Sequence, residues 1–290
     1  MAKENGISRR KLLKSLLVGS LVSQFYPSFG SIFSTSTLLK GNIRHSVSKW
    51  CFKYPLDEFC KEVKKIGIES VELVGPEKWP IISKNGLKCA IGNFPDLSPE
   101  RGLNNPLWHD RLIHDYIEYI PMAANAGVEK LICFSGNTAG ISDRQGLENC
   151  KKILEKILPI AEKNNITLVM ELIGKEFPDY QCNNVKWGAT LCDNLQSDNF
   201  KLLYDIAHMY STGADVNDDI KNYYKYIAHY QIAGDPKRCE PDLSKGLDCK
   251  KVLQTIVNTG YKGYIAQEYW PSIELGRLER LRECVVFCDV

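Results

Sequence analysis

The sequence predicts an α/β fold, a single-domain (β/α)8 (TIM) barrel, and three observations carry that prediction. The chain has 290 residues, and the part beyond a basic leader is close to the roughly 250 typical of such a barrel. From residue 43 onward, short and nearly continuous apolar runs alternate about eight times with amphipathic segments, the pattern of buried parallel strands separated by helices. No Gly-x-Gly-x-x-Gly follows a strand run, so the rival open, doubly wound sheet lacks its phosphate-binding turn.

In chain order, residues 1–40 read as a twin-arginine signal peptide and linker, and residues 41–290 as the barrel. Ser8-Arg9-Arg10-Lys11-Leu12-Leu13-Lys14 precedes the apolar run Ser15–Val22. Adjacent arginines before a short apolar stretch are the twin-arginine form of an export leader, too short for a transmembrane helix. The expected location is therefore outside the cytoplasm, in the periplasm, with no stable membrane span once the leader is removed. No A-x-A cleavage site follows. A Ser/Thr/Gly-rich linker runs from about Ser28 to Asn42.

The expected strands are Ile43–Ser48, Ser70–Leu73, Lys88–Gly92, Lys130–Ser135, Thr167–Leu172, Lys201–Ile206, Tyr226–Ile232 and Tyr264–Glu268. Between them, Leu56–Ile66 carries apolar residues at 56, 59, 63 and 66, close to a helical period, and Gly67 suits its stop. The same organisation recurs in His109–Ala126, Gly146–Asn164 and Cys249–Thr259. Two long polar connections, Phe94–Leu107 and Gly174–Trp187, depart from this rhythm, and active-site loops of a barrel belong there.

Charge and cysteine content exclude some partners. The leader holds six of the 37 basic residues and one of the 35 acidic ones, leaving 31 basic against 34 acidic residues in the body. A slightly acidic body is a poor surface for a phosphate backbone, so no nucleic-acid partner is expected. Eleven cysteines, without CxxC pairs, read as buried free thiols and not as a disulfide framework. Homo-oligomerisation is left open.

Side chains at the carboxyl ends of barrel strands converge on one mouth. Those ends carry Glu171, Asp205, Gln231 and Glu268, four oxygen-bearing residues at one level. Three carboxylates that close repel one another unless protonated or bridged by a cation. One divalent metal ion, Mg²⁺ or Mn²⁺, resolves that repulsion, and oxygen ligands would accept Co²⁺ as well. Glu72 ends the second strand and is expected to line the pocket. His45, His114 and His229 read as structural.

The segments Met170-Glu171-Leu172, Tyr204-Asp205-Ile206-Ala207-His208-Met209, His229-Tyr230-Gln231-Ile232-Ala233-Gly234-Asp235-Pro236, Arg238-Cys239-Glu240-Pro241 and Gly263–Tyr269 resemble the xylose isomerase-like barrels, and within them the hydroxypyruvate isomerase group. The resemblance covers roughly residues 43–270 and is most specific over the last four strands. It implies that Glu171, Asp205, Gln231 and Glu268 hold one divalent metal, that Glu171 and Glu268 transfer protons, and that His208 and Arg238 hold substrate oxygens. The chain departs from the group where Leu172-Ile173-Gly174-Lys175 replaces Pro-Ile-Asn, at Cys239, and at Asp242-Leu243-Ser244. These positions shape the pocket.

The roles make physical sense together. A carboxylate removes the proton α to a carbonyl, a second acid returns one to the neighbouring carbon, and a cation with hydrogen-bond donors stabilises the intervening enediolate. The expected function is a metal-dependent isomerase of small hydroxy-carbonyl compounds, hydroxypyruvate isomerase-like, acting on a small-molecule or sugar substrate. Alternatives on the same fold are a ketose 3-epimerase, an exported sugar-processing lyase and a non-catalytic sugar-binding barrel. An endonuclease-IV-like site needs more histidines than the five present. Export makes hydroxypyruvate, a cytosolic metabolite, a less natural substrate.

Overall fold

Seven parallel strands form one sheet in the order β2-β1-β7-β6-β5-β4-β3 in the computed structural model, which describes residues 39–273 and 276–290. The strands are β1 (Arg44–Ser48), β2 (Ser70–Glu72), β3 (Lys130–Cys133), β4 (Thr167–Leu172), β5 (Phe200–Asp205), β6 (Ile227–Ile232) and β7 (Tyr264–Gln267). Each coincides with an apolar run of the sequence, because a strand covered on both faces has no solvent side on which to place polar residues. The twin-arginine leader lies outside the described residues.

The segment expected as a third strand, Lys88–Gly92, is not a regular strand. It joins the sheet edges through isolated parallel bridges, Ser70 to Lys88 and Val74 to Gly92 on one side and Gly92 to Leu131 on the other. Its ladder is interrupted at Ala90, whose N–H donates to Ser70 Oγ (2.9 Å) in place of a backbone carbonyl. Glycine is needed at 92: a Cβ there would lie 2.8 Å from Trp79 Cζ2 and 3.1 Å from Leu131 Cδ2. This segment is the eighth stave, and it closes the ring between β2 and β3.

Helices α1 (Leu56–Ile66), α2 (Trp79–Lys84), α3 (His109–Asn125), α4 (Asp143–Lys163), α5 (Val185–Leu195), α6 (Ile206–Thr212), α7 (Val216–Tyr223), α8 (Cys249–Asn258) and α9 (Arg277–Cys288) cover the outside. In α1, Phe59, Cys60 and Val63 are buried and Gly67 takes the left-handed stop (φ 98°). The fourth helix starts at Asp143, three residues before the expected Gly146, because Ser142 caps it by accepting from the Gln145 N–H. The 174–187 connection is likewise shorter than expected: Asn184 caps α5 by accepting from the Trp187 N–H (2.9 Å). All eleven cysteines are free thiols, ten of them buried, and Cys284 and Cys288 both face inward from α9. No helix of the described residues is long and apolar enough to cross a membrane.

Candidate active site

The strand ends deliver the expected residues to one place. Glu171 is the penultimate residue of β4, Asp205 closes β5, Gln231 stands beside Asp205 in register on β6, and Glu268 follows β7. A cavity of about 460 Å³ opens over these ends, and Glu171, His208, Arg238 and Glu268 line it. The two long loops form its rim: Leu97 and Pro99 come from one, Glu176 and Phe177 from the other. The second loop is pinned by Tyr180, whose buried hydroxyl accepts from the Ser135 N–H (2.9 Å) and donates to the Glu171 carbonyl (3.0 Å).

Asp205 organises the centre. As N-cap of α6 it accepts from the His208 N–H through Oδ1 (2.9 Å), which fixes the helix that carries His208. Its Oδ2 accepts from Arg238 Nη2 at 2.7 Å, and the same nitrogen donates to Glu268 Oε2 at 2.8 Å. Arg238 reaches this bridging position from a loop in which Lys237 and Arg238 both take left-handed backbone (φ 64° and 52°). Gly234 and Cys239 close that loop by a 2.7 Å backbone hydrogen bond. Charge-assisted contacts of this kind are the strong members of a polar network.

The electrostatics separate the acids into two kinds. Burial pushes the Asp205 carboxyl up, but the Arg238 guanidinium and the hydrogen bonds from Arg238 and from the His208 N–H outweigh it and hold it below its ordinary value. Burial, with Glu268 and Asp205 nearby, pushes Glu171 well above the usual carboxylate range. Burial dominates at Glu268 too; Arg238 opposes it, Asp205 and Glu72 add to it, and the carboxyl is pushed up to about 8. His208 is shifted down: burial dominates, Asp205 opposes it and Arg238 adds to it, so the imidazole is neutral near pH 7. Two protonatable glutamates therefore face one space with a fixed anion and a fixed cation between them. Divergent carboxyl environments of this sort mark acid–base sites.

The donor set fits a hard divalent cation. Donor atoms of Glu171, Asp205 and His208 lie within 4.8 Å of one another. Gln231 Oε1 is buried with no hydrogen-bond partner, while its amide nitrogen donates to Glu72 Oε1 (3.2 Å). An orphaned amide oxygen beside Asp205 is an acceptor waiting for a cation, because burial without a partner costs about 1–3 kcal/mol. Glu268 stands apart from the tightest cluster, tied to Arg238 and to Trp50 Nε1 (2.8 Å from Oε1).

Glu72 departs from its expected place. It is fully buried and does not line the cavity; its oxygens are taken by Ser46 Oγ (2.7 Å), His229 Nε2 (3.0 Å) and Gln231 Nε2 (3.2 Å). Its geometry is that of a support beneath Gln231, not of a substrate contact. Replacing Glu72 by Ala leaves a buried imidazole and a buried amide unpaired, and we expect a loss of about 3 kcal/mol of stability. Urea denaturation measures this, and a change below about 1 kcal/mol would remove Glu72 from the support. His45 is buried 3.6 Å from Asp289 and His114 is exposed, away from the cavity.

Trp50, Asn93 and Trp270 also line the cavity without having been expected there, and Glu176 and Phe177 join them from the expected 174–187 loop. A positional signal existed for the two tryptophans, which stand two residues beyond Ser48 and Glu268 respectively. Residues just past a strand end are where a barrel places its mouth.

Comparison with known proteins agrees with this geometry. Residues 60–284 match the family model for the xylose isomerase-like TIM barrel. Hydroxypyruvate isomerase of Escherichia coli (strain K12) is 25% identical over 224 residues, covering 73% of this chain and 86% of that protein. A 112-residue stretch is 31% identical to 2-oxo-tetronate isomerase of Cupriavidus necator, covering 38% of this chain and 43% of that one. In several such relatives the match spans less than half of the relative's length. Among solved structures, 3-keto-D-glucoside 4-epimerase from E. coli superposes with a TM-score of 0.73 at 14% identity, over 85% of this chain and 98% of that one. With fold, strand-end residues and family model in agreement, the chain belongs to the xylose isomerase-like TIM-barrel family.

Proposed function

We propose that the protein is a divalent-metal-dependent isomerase that moves a proton between adjacent carbons of a small hydroxy-carbonyl compound through a cis-enediolate. The observation that carries this reading is the pair Glu171 and Glu268. Both are buried in one cavity and both are raised by that burial, while Asp205 is held ionised and Arg238 cationic between them. Relatives named as isomerases support the reaction class.

Glu171, Asp205, Gln231 and Glu268 are the residues that would hold the cation. Once bound, the cation would supply Lewis-acid stabilisation to the carbonyl and hydroxyl oxygens of the substrate. Of the two glutamates, the ionised one removes the carbon-bound proton of the carbinol carbon. The other, protonated, delivers a proton to the former carbonyl carbon, and the hydroxyl proton passes between the two substrate oxygens. A raised pKa suits both directions, since a carboxyl near neutrality is a competent base and a competent acid. Neutral His208, with Nε2 4.0 Å from Glu171 Oε1, can donate to a substrate oxygen without adding charge. Arg238 faces the negative charge that develops on the enediolate.

An NMR assay of aldose–ketose interconversion tests this reading on a panel of hydroxypyruvate, short ketoses and the keto-disaccharide lactulose. We expect product with Mn²⁺ or Mg²⁺, at least 10²-fold less after chelation, and recovery on adding the ion back. Undiminished turnover in excess chelator would sink the metal dependence, and no product from any panel member would sink the isomerase.

A further inference from the structure

Two tryptophans stand at the rim of the cavity, and the reaction outlined above does not use their rings. Trp50 lies in the 3-10 turn Lys49–Cys51 directly after β1, and Trp270 lies two residues past Glu268. Their rings meet edge-to-face, 4.8 Å between centroids and 73° between planes. Yet the residues stay 42% and 54% exposed. Each is tied to a residue of the proposed chemistry: Trp50 Nε1 donates to Glu268 Oε1 (2.8 Å), and the Trp270 N–H donates to the Arg238 carbonyl (2.9 Å). The platform is therefore fixed relative to Glu268 and Arg238. Paired aromatic rings left facing solvent beside a cavity are a ligand surface more than a packing element.

The cavity also has the wrong size and charge for a three-carbon acid. Its volume of about 460 Å³ falls in the range of roughly 300–1,000 Å³ that encloses a drug-sized ligand. Among the described residues that line it, Arg238 is the single guanidinium or ammonium group, and Asp205 and Glu268 already engage it. Glu176 adds a further acid on the wall. Both ion pairs of Arg238 use Nη2, which leaves Nη1 as one buried donor without a partner. Against that single donor the lining sets Glu171, Glu176 and Glu268, so the acids outnumber the one cation that a substrate carboxylate could meet.

We infer that the substrate is an uncharged keto-sugar carrying a second ring, whose C–H-rich face stacks on the Trp50–Trp270 pair while its carbonyl reaches Glu171 and Glu268. This rests on the isomerase reading for the reacting end, whereas the ring subsite stands on the aromatic geometry. Trp270 sets the preference through its exposed face. Trp50 both builds the platform and orients the Glu268 carboxyl.

Calorimetric titration of the full chain with Mn²⁺ tests this, using lactulose as a neutral keto-disaccharide, fructose as the same ketose without the second ring, and hydroxypyruvate as the acid. We expect lactulose to bind roughly tenfold tighter than fructose, the size of one good aromatic contact, and hydroxypyruvate to bind weakest. Trp270→Ala should bring lactulose and fructose within about twofold of each other, and Trp270→Phe should keep part of the preference. Equal affinities in the native protein, a preference that survives Trp270→Ala, or hydroxypyruvate binding tightest would overturn the inference. The isomerase reading fails separately: a lactulose preference without any isomerisation or solvent-hydrogen exchange keeps the ring subsite and removes the chemistry.

Discussion

Glu268→Gln is expected to lower turnover by about 10²–10⁴-fold, the usual worth of a positioned acid–base group, while leaving the fold intact. The substitution is close to isosteric with the protonated acid, and burial already pushes Glu268 up to about 8. The amide oxygen can still accept from Trp50 Nε1, and Arg238 keeps its 2.7 Å contact with Asp205. What disappears is the ability to take and return a proton. The loss should therefore fall on kcat, with KM changed little, because an interaction specific to the transition state has been removed. Glu171→Gln should behave in the same way, and the double variant should lose little more than either single one, since each glutamate needs the other. Steady-state kinetics with circular dichroism as a folding control measure this. Turnover within tenfold of the native protein would take Glu268 out of the proton path.

The second large effect concerns stability. Between about pH 6.5 and 8, the protein prepared without divalent metal should lose thermal stability as pH rises. Glu268 has an unfolded pKa near the ordinary glutamate value of about 4.3 and a folded value of about 8. Across that interval the folded protein holds a proton that the unfolded chain has released. Stability from this group is thus full below the unfolded pKa and disappears as pH climbs through the folded one. Glu171, raised by burial and by Glu268, has the same sign. His208 is lowered and opposes the trend only below its ordinary value of 6.5. Asp205 is lowered and acts only in acid.

Mn²⁺ should reverse the trend, since binding to carboxylates releases their protons and gains affinity with pH. At a hundredfold excess over its Kd, a ligand adds about 2.7 kcal/mol, or roughly 5–10 °C in Tm for a domain of this size. The increment should be clearly larger at pH 8 than at pH 6. A Tm that rises from pH 6.5 to 8 without metal, or a Mn²⁺ increment equal at both values, would contradict this account of the buried glutamates.

Much of this site was legible because strand ends are legible. A run such as Thr167–Met170 can only be a buried strand, and the first ionisable residue after it, Glu171, must then sit at the mouth. The same holds for Asp205 and Glu268, and the neutral Gln231 stands beside Asp205 in register. Local chemistry hid other features. Gly146 reads as a helix start only if the Ser142 cap is overlooked. Residues 88–92 look like a strand, but the Ser70 hydroxyl takes one of its donors. Glu72 shows where periodicity stops informing: its position at a strand end is right, yet only the fold reveals that Ser46, His229 and Gln231 claim both of its oxygens. Trp50 and Trp270 each stand two residues past an expected strand end, but their exposure belongs to the assembled rim and not to the local pattern. Arg238 depends on two successive left-handed residues that no propensity would select.

The measurement that bears most directly on the proposed proton transfer is solvent-deuterium incorporation. A ketose that the protein turns over is incubated in D₂O with native protein and Mn²⁺, and the recovered substrate and product are read by NMR. The account predicts deuterium at the carbon beside the carbonyl, appearing with the native protein and Mn²⁺ and absent with chelator or with Glu268→Gln. Product that forms with no solvent deuterium at either carbon would contradict it, and would assign the reaction to a direct carbon-to-carbon hydride shift.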